Sequence, residues 1–295
     1  MKKTIKKILS VFMAITIISN LCFAYAISEG DARTVIGADL NQEQIDQVYR
    51  TFGISQGSVP ELRVTNSEER QYLDGLVDSS IIGSRSISCV YVEIKGTNSG
   101  IQVDTSNITW CTSATYLNAL ATAGISDAKV VVTAPFGVSG TAALTGIYKA
   151  YEDLTGTKLD ETAKLVGTQE LVVTSELADQ IGDIDATAVV NELKNILDET
   201  INMTDDEIRE EIRRIAKEYD VSISDTIVDQ LVKLCREMEG LSPEALKEKV
   251  ESVQKSLKTL ANAQESAGKA VNSIKNFFSA VGNFISNIFN KITGN

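Results

Sequence analysis

The chain has 295 residues, 40 acidic and 28 basic, for a net charge of −12, and it contains no histidine. The acidic excess repels phosphates and disfavours nucleic acid as a partner. The missing histidine excludes Ser-His-Asp and Cys-His catalysis within one chain and every His-ligated zinc, haem or non-haem iron site, so any chemistry must come from carboxylates, Lys, Tyr, Ser, Thr or Cys.

The first 26 residues have the three parts of a secretory leader. Lys2, Lys3, Lys6 and Lys7 precede an uncharged apolar run from Ile8 to Phe23, and Ala24-Tyr25-Ala26 supplies a small-x-small exit. Cleavage is expected after Ala26, with Ala24 and Ala26 as the signal-cleavage residues. The apolar run is shorter than the roughly 20 residues needed to span a bilayer. Removing the leader leaves 24 basic against 40 acidic residues, a net charge of −16. The remaining chain, about 270 residues, is long enough to bury a sizeable core. The organisation expected is a leader (1–26), an α/β body (27–157), a helical region (158–240) and a long amphipathic tail (241–295).

Three cysteines follow the leader: Cys89, Cys111 and Cys235. The odd count leaves at least one unpaired within the monomer. A Cys89–Cys111 disulfide is open on sequence grounds but strained. If Lys95 pairs with Ile101 in a hairpin, Cys111 lies four residues beyond the partner of Cys89, roughly 13 Å away at strand rise. A disulfide needs Cα atoms within about 7 Å. Buried free thiols are the alternative.

In chain order, Asn41 with Gln44 reads as a capping box, and Ile45, Val48, Tyr49 and Phe52 mark one helical face that ends at Gly53. Asn66 with Glu69 repeats the device ahead of a helix through Val77. Ile87–Lys95 and Ile101–Trp110 flank the turn Gly96–Gly100 and predict a β-hairpin. Thr112–Ala123 predicts a helix. Lys129–Thr133 is short, apolar and β-branched, and it predicts a buried strand parallel to the second hairpin strand through a crossover. Beyond Thr141 the pattern is helical throughout, with helices over 140–155, 159–166, 168–181, 185–200, 204–219, 225–239 and 243–292. The fold class expected is α+β: a small mixed sheet (hairpin plus one crossover strand) with a mostly helical C-terminal half.

The last helix carries a heptad seam. Positions 246, 250, 253, 257, 260, 264, 267, 271, 274, 278, 281, 285, 288 and 292 alternate steps of four and three, and only Gln264 among them is polar. Residues 244–295 hold seven lysines against four glutamates and half of the chain's eight phenylalanines. Three occupants of that face stay open: the protein's own body, a second copy as a coiled coil, or a membrane surface.

The stretch TAPFGVSGTAALTG (133–146) is the candidate binding loop. It lacks the Gly-Lys-Ser/Thr of a phosphate loop. Gly137-Val138-Ser139-Gly140 places its second glycine one position early for a nucleophile elbow. What remains is a strand-to-helix turn whose free N–H groups suit an anion, with Gly137, Ser139, Gly140 and Thr141 as candidate ligand-binding residues. The opposing reading is structural: Pro135 ends the strand, Ser139 caps the helix, and glycine and alanine permit close packing. No cofactor and no metal ligand set is read from the sequence; Asp183-Ile184-Asp185 lacks the rest of a calcium loop.

IGADLNQEQIDQVYRTFG (36–53), SGIQVDTSNITWCTSATYLNALATAGISDAKVVVTAPFGVSGTAALTGIYKAYEDLTG (99–156) and KLVGTQELVVTSELADQIG (164–182) resemble the domain of unknown function 1002 family, secreted proteins of Gram-positive bacteria. The resemblance implies an extracytoplasmic, envelope-associated protein. It implies no activity and carries over no catalytic residues. Two functions follow as expectations: a secreted, non-enzymatic module that contacts an envelope component or protein partner, or a histidine-free ligand-binding protein or enzyme using the loop at 135–141. They part on one observation, whether that loop adjoins a concave pocket with a carboxylate or lysine.

Overall fold

A computed structural model describes the backbone of residues 28–266 and the side chains through residue 263. The leader with Ala24 and Ala26, and the seam from Gln264 onward, lie outside the described residues.

The strands form one mixed five-stranded sheet in the order β2-β1-β3-β5-β4. β1 (Ala32–Gly37), α1 (Gln42–Phe52) and β2 (Glu61–Val64) make a parallel β-α-β unit. Asn41 and Gln44 form the expected capping box, and Gly53 ends α1 in the left-handed region at φ 72°. Neither β1 nor β2 is legible from the sequence. They have six and four residues, too few to show a period against the neighbouring turns.

The expected hairpin does not form. β3 (Cys89–Ile94) and β4 (Gln102–Ile108) are separated by β5 (Ala128–Val138), which pairs antiparallel with β3 and parallel with β4. The parallel pairing, with α4 (Ser113–Thr122) in the crossover, is as expected. The reason for the insertion is compositional. KVVVT gives the strand best suited to a position between two neighbours, whereas QVDTSNI alternates with exposed polar residues and suits an edge.

The same topology removes the Cys89–Cys111 disulfide. Cys89 sits opposite Thr133 on β5, and Cys111 follows β4 on the far side of β5. Two strand spacings are about 9.6 Å, more than a disulfide spans. Cys89, Cys111 and Cys235 are all buried free thiols.

One face of the sheet carries Val35, Val90, Val92, Val103, Val130 and Val132 into the main core, under α4 and α5 (Thr141–Thr155). The other face carries Ile36 and Cys89 into a smaller core under α1. Behind α4 lie α6 (Glu161–Ile181) and α7 (Asp183–Asn195). Helix α6 is a single rod where the sequence suggested two segments, and it is buried almost all round from Val166 to Ser175. A short α8 (Leu197–Thr200) leads to α9 (Asp205–Glu218) and α10 (Asp225–Glu239), whose faces close the helical layer.

The last described helix, α11 (Pro243–Ser266), packs on α4 and α7. Its buried stripe is Leu246, Val250, Val253, Leu257 and Ala261. Up to Ala261, the face the sequence left open is therefore occupied by the protein's own body. The stripe passes from Leu257 to Ala261 rather than to Leu260, because an uncoiled helix drifts off a strict heptad. Among the described residues no helix is long and apolar enough to cross a membrane. Leu257 is fully buried, so Leu257→Ala is expected to lower the unfolding free energy by about 2–4 kcal/mol. Urea unfolding with sedimentation mass checks this: lost stability at unchanged mass is the signature of intramolecular packing.

Candidate functional site

The turn from β5 into α5 is built from backbone constraints. β5 continues through Pro135 instead of ending there. Its pairing with β3 stops at Cys89↔Thr133, so beyond that point one side of β5 is free and the missing proline N–H leaves no ladder gap. On the other side a register shift between Ser106 and Ile108 lets Asn107 bridge by donating from Nδ2 to the Ala134 carbonyl at 2.8 Å. The Thr109 and Cys111 amides then donate to the Val138 and Ser139 carbonyls at 2.8 and 2.9 Å. Tyr116 Oη donates to the Gly140 carbonyl at 2.5 Å.

Gly140, not Ser139, is the N-cap of α5, and no side chain caps this helix. Helices α1, α4, α6, α9 and α10 each have a capping side chain, from Asn41, Thr112, Asp160, Thr204 and Ser224, whereas α7 and α8, like α5, have none. The Ala143 amide donates to the Gly140 carbonyl at 3.0 Å, which leaves the Thr141 and Ala142 amides with neither an intrahelical nor a side-chain partner among the described residues.

They open on a cleft of about 230 Å³ that Ser139, Gly140 and Thr141 line. Of the four loop residues singled out by sequence, only Gly137 is not part of it. The far wall comes from two short helices, α2 (Asn66–Leu73) and α3 (Ser79–Ile82), and the segment that follows them, Gly83 to Ser88. Arg70 holds that segment by donating from Nη2 to the Gly83 carbonyl at 2.6 Å. Asp39 Oδ2 accepts from the Ser86 amide at 2.7 Å.

The floor of the cleft holds a residue that the sequence had assigned elsewhere. Two overlapping capping boxes are written in Thr65-Asn66-Ser67-Glu68-Glu69. The fold uses Thr65 with Glu68, not Asn66 with Glu69. Glu69 is thereby turned inward and is 1 % exposed. Its Oε1 accepts from Thr141 Oγ1 at 2.5 Å and its Oε2 from Asn66 Nδ2 at 3.1 Å. Burial raises its pKa from 4.5 to about 7, against the lowering effect of the two hydrogen bonds and of Arg70. The Thr141 hydroxyl also lies 3.2 Å from Ser139 Oγ. Ser139 therefore faces a hydroxyl rather than a base, which makes the array a hydrogen-bonding relay and not a nucleophile–base pair.

Three more residues complete the cleft and carry no sequence signal. Ser88 is 2 % exposed and lines the wall with no hydrogen-bond partner among the described residues. Arg85 is exposed at the rim, with no ion-pair or hydrogen-bond partner among the described residues. Phe136 is 42 % exposed beside it. Among the described residues, no three of Cys, Asp and Glu come together in a metal-holding group.

The model of a family described as "Protein of unknown function (DUF1002)" matches residues 36–260. The chain belongs to the DUF1002 family. It is also 40 % identical over 212 residues to the uncharacterised protein YpuA of Bacillus subtilis (strain 168), an alignment covering 72 % of this chain and 73 % of that protein. No solved structure matches. The span matched by the DUF1002 model contains every residue of the cleft, so the cleft lies inside the family's domain and not in an appendage.

The raised pKa of Glu69 fixes a sign for stability. Unfolded, its carboxyl ionises near 4.5; folded, it keeps its proton to about 7. Across that window the native state binds more protons, so this group's contribution falls as pH rises from about 4.5 to about 7 and is flat above. Glu192, raised to about 7 by burial despite hydrogen bonds from Asn195 and Tyr219, adds a second fall of the same sign. Glu69→Gln is expected to gain stability over the wild type progressively between pH 4.5 and 7. Urea unfolding at pH 4, 5.5 and 8 measures this, and a pH-independent difference would contradict it.

Proposed function

We propose that this is an exported, envelope-associated DUF1002 protein whose cleft at the head of α5 binds a small polar ligand without transforming it. Export rests on the leader read at residues 1–26. Binding rests on one observation above all: the uncapped first turn of α5 opens on a cleft that also holds a buried carboxyl and a partnerless serine. Retention of the ligand, rather than reaction, follows from Thr141 standing between Ser139 and Glu69.

A ligand-observed NMR screen of small polar compounds against the protein tests the binding reading. Hits are expected that disappear with Ser84→Trp, a change at an exposed residue of the cleft wall. Hits unaffected by that variant, or none, contradict the reading. Export is tested by the N-terminal sequence of protein recovered from outside the cell, with Ile27 as the first residue expected.

A further inference from the structure

We infer that the ligand of this cleft is a small zwitterion of amino-acid size, its carboxylate at Arg85 and the first turn of α5 and its ammonium over Glu69. The inference rests on the cleft being a binding site. It follows from which charges line the cleft. Arg85 at the rim and Glu69 on the floor are its two ionisable residues, and Glu69 carries its charge above about pH 7. An anion alone would bring its charge toward the Glu69 carboxyl. A cation alone would leave Arg85 and the α5 amides without a partner. Above about pH 7, where Glu69 is ionised, a molecule with both charges a few bonds apart meets both ends, and its net charge of zero matches that of the lining.

The remaining features fit the same class. Arg85 is free to make a two-point contact with a carboxylate. Each Glu69 oxygen already accepts one hydrogen bond and retains a lone pair for an ammonium. Ser88, buried and partnerless, offers a hydroxyl that can donate to the one group or accept from the other. Ile81, Ile82 and Phe136 leave an apolar side for a short aliphatic substituent. The volume, about 230 Å³, is below the roughly 300–1,000 Å³ of pockets for drug-sized molecules.

The test uses glycine, alanine, serine, valine and leucine as a pool in three forms: free, N-acetylated and amidated. The readout is the ¹H–¹⁵N shift of the Thr141 and Ala142 amides in the protein. The free pool is expected to shift both amides and to bind at least tenfold more tightly than either blocked pool. Arg85→Gln is expected to remove the preference over the amidated pool, and Glu69→Gln the preference over the acetylated pool. Alanyl-alanine tests the size: weaker binding than free alanine supports a free amino acid, and binding as tight overturns the amino-acid size. Equal binding of free and blocked pools overturns the zwitterion assignment while leaving the cleft a binding site. Binding of other polar compounds, with no shift from the free pool, does the same. Absence of any cleft ligand in the screen above overturns both readings.

Discussion

Lys194→Met is expected to lower the unfolding free energy by about 3–5 kcal/mol, the largest single effect in the molecule. Lys194 on α7 and Glu170 on α6 form an ion pair at 2.6 Å with side chains 2 % and 0 % exposed. Thr122 donates to the second Glu170 oxygen at 2.5 Å, and Lys194 reaches the carbonyl and the Oδ1 of Asn118 at 3.3 Å each. Burial pushes the Lys194 ammonium down, opposed by Glu170. Removing the lysine leaves a carboxylate at the centre of the helical layer with only Thr122 to hold it. The double change Glu170→Leu with Lys194→Met takes away both charges and is expected to recover most of the loss. Urea midpoints of the wild type, the two single variants and the double variant close the cycle. A double variant as unstable as the singles would mean that the pair itself contributes net stability, contrary to this account.

Gly140→Ala is the second large effect, roughly 2–4 kcal/mol. Gly140 sits at φ 98°, a conformation that costs an L side chain energy. A Cβ there would also lie 2.6 Å from Ile108 Cγ2 and 2.7 Å from Tyr116 Oη. Neither neighbour can move cheaply, since Tyr116 is buried and bonded to the Gly140 carbonyl. Gly146, one turn and a half along α5, is the control. A Cβ there would meet Val35 and Val90 at 3.4 Å, close to ordinary contact. Gly146→Ala is expected to change stability by less than about 1 kcal/mol, because the helix gains from alanine what the contact costs. Thermal and urea unfolding of both variants should separate them clearly. The contrast matters for function, because Gly140 holds the α5 amides at the cleft while Gly146 serves only helix–sheet packing.

The sequence carried the elements better than it carried their partners. The capping box at Asn41, the helices expected over 225–239 and 140–155, and the parallel β4–β5 pairing follow from local patterns and are present, the second helix starting at Thr141. The hairpin was misread because a glycine-rich turn between two β-branched runs reports only that the strands can adjoin. Which strand goes between them is decided by the burial of Val130 and Val132, a property of the whole sheet. The cleft was half legible. Ser139, Gly140 and Thr141 stand out because glycines mark a tight turn. Glu69 was hidden by a choice between Thr65 and Asn66 as caps, a difference of one residue that swings a carboxylate from solvent to core. Arg85 and Ser88 come from a segment without periodicity, placed by contacts to Asp39 and Arg70 that are distant in sequence.

The most direct measurement of the central claim is a crystal structure of the protein grown with the free amino-acid pool. The account predicts one ordered molecule in the cleft, its carboxylate between Arg85 and the Thr141 and Ala142 amides and its ammonium toward Glu69. A cleft closed by side chains, or a pool molecule ordered only elsewhere on the protein, would contradict it.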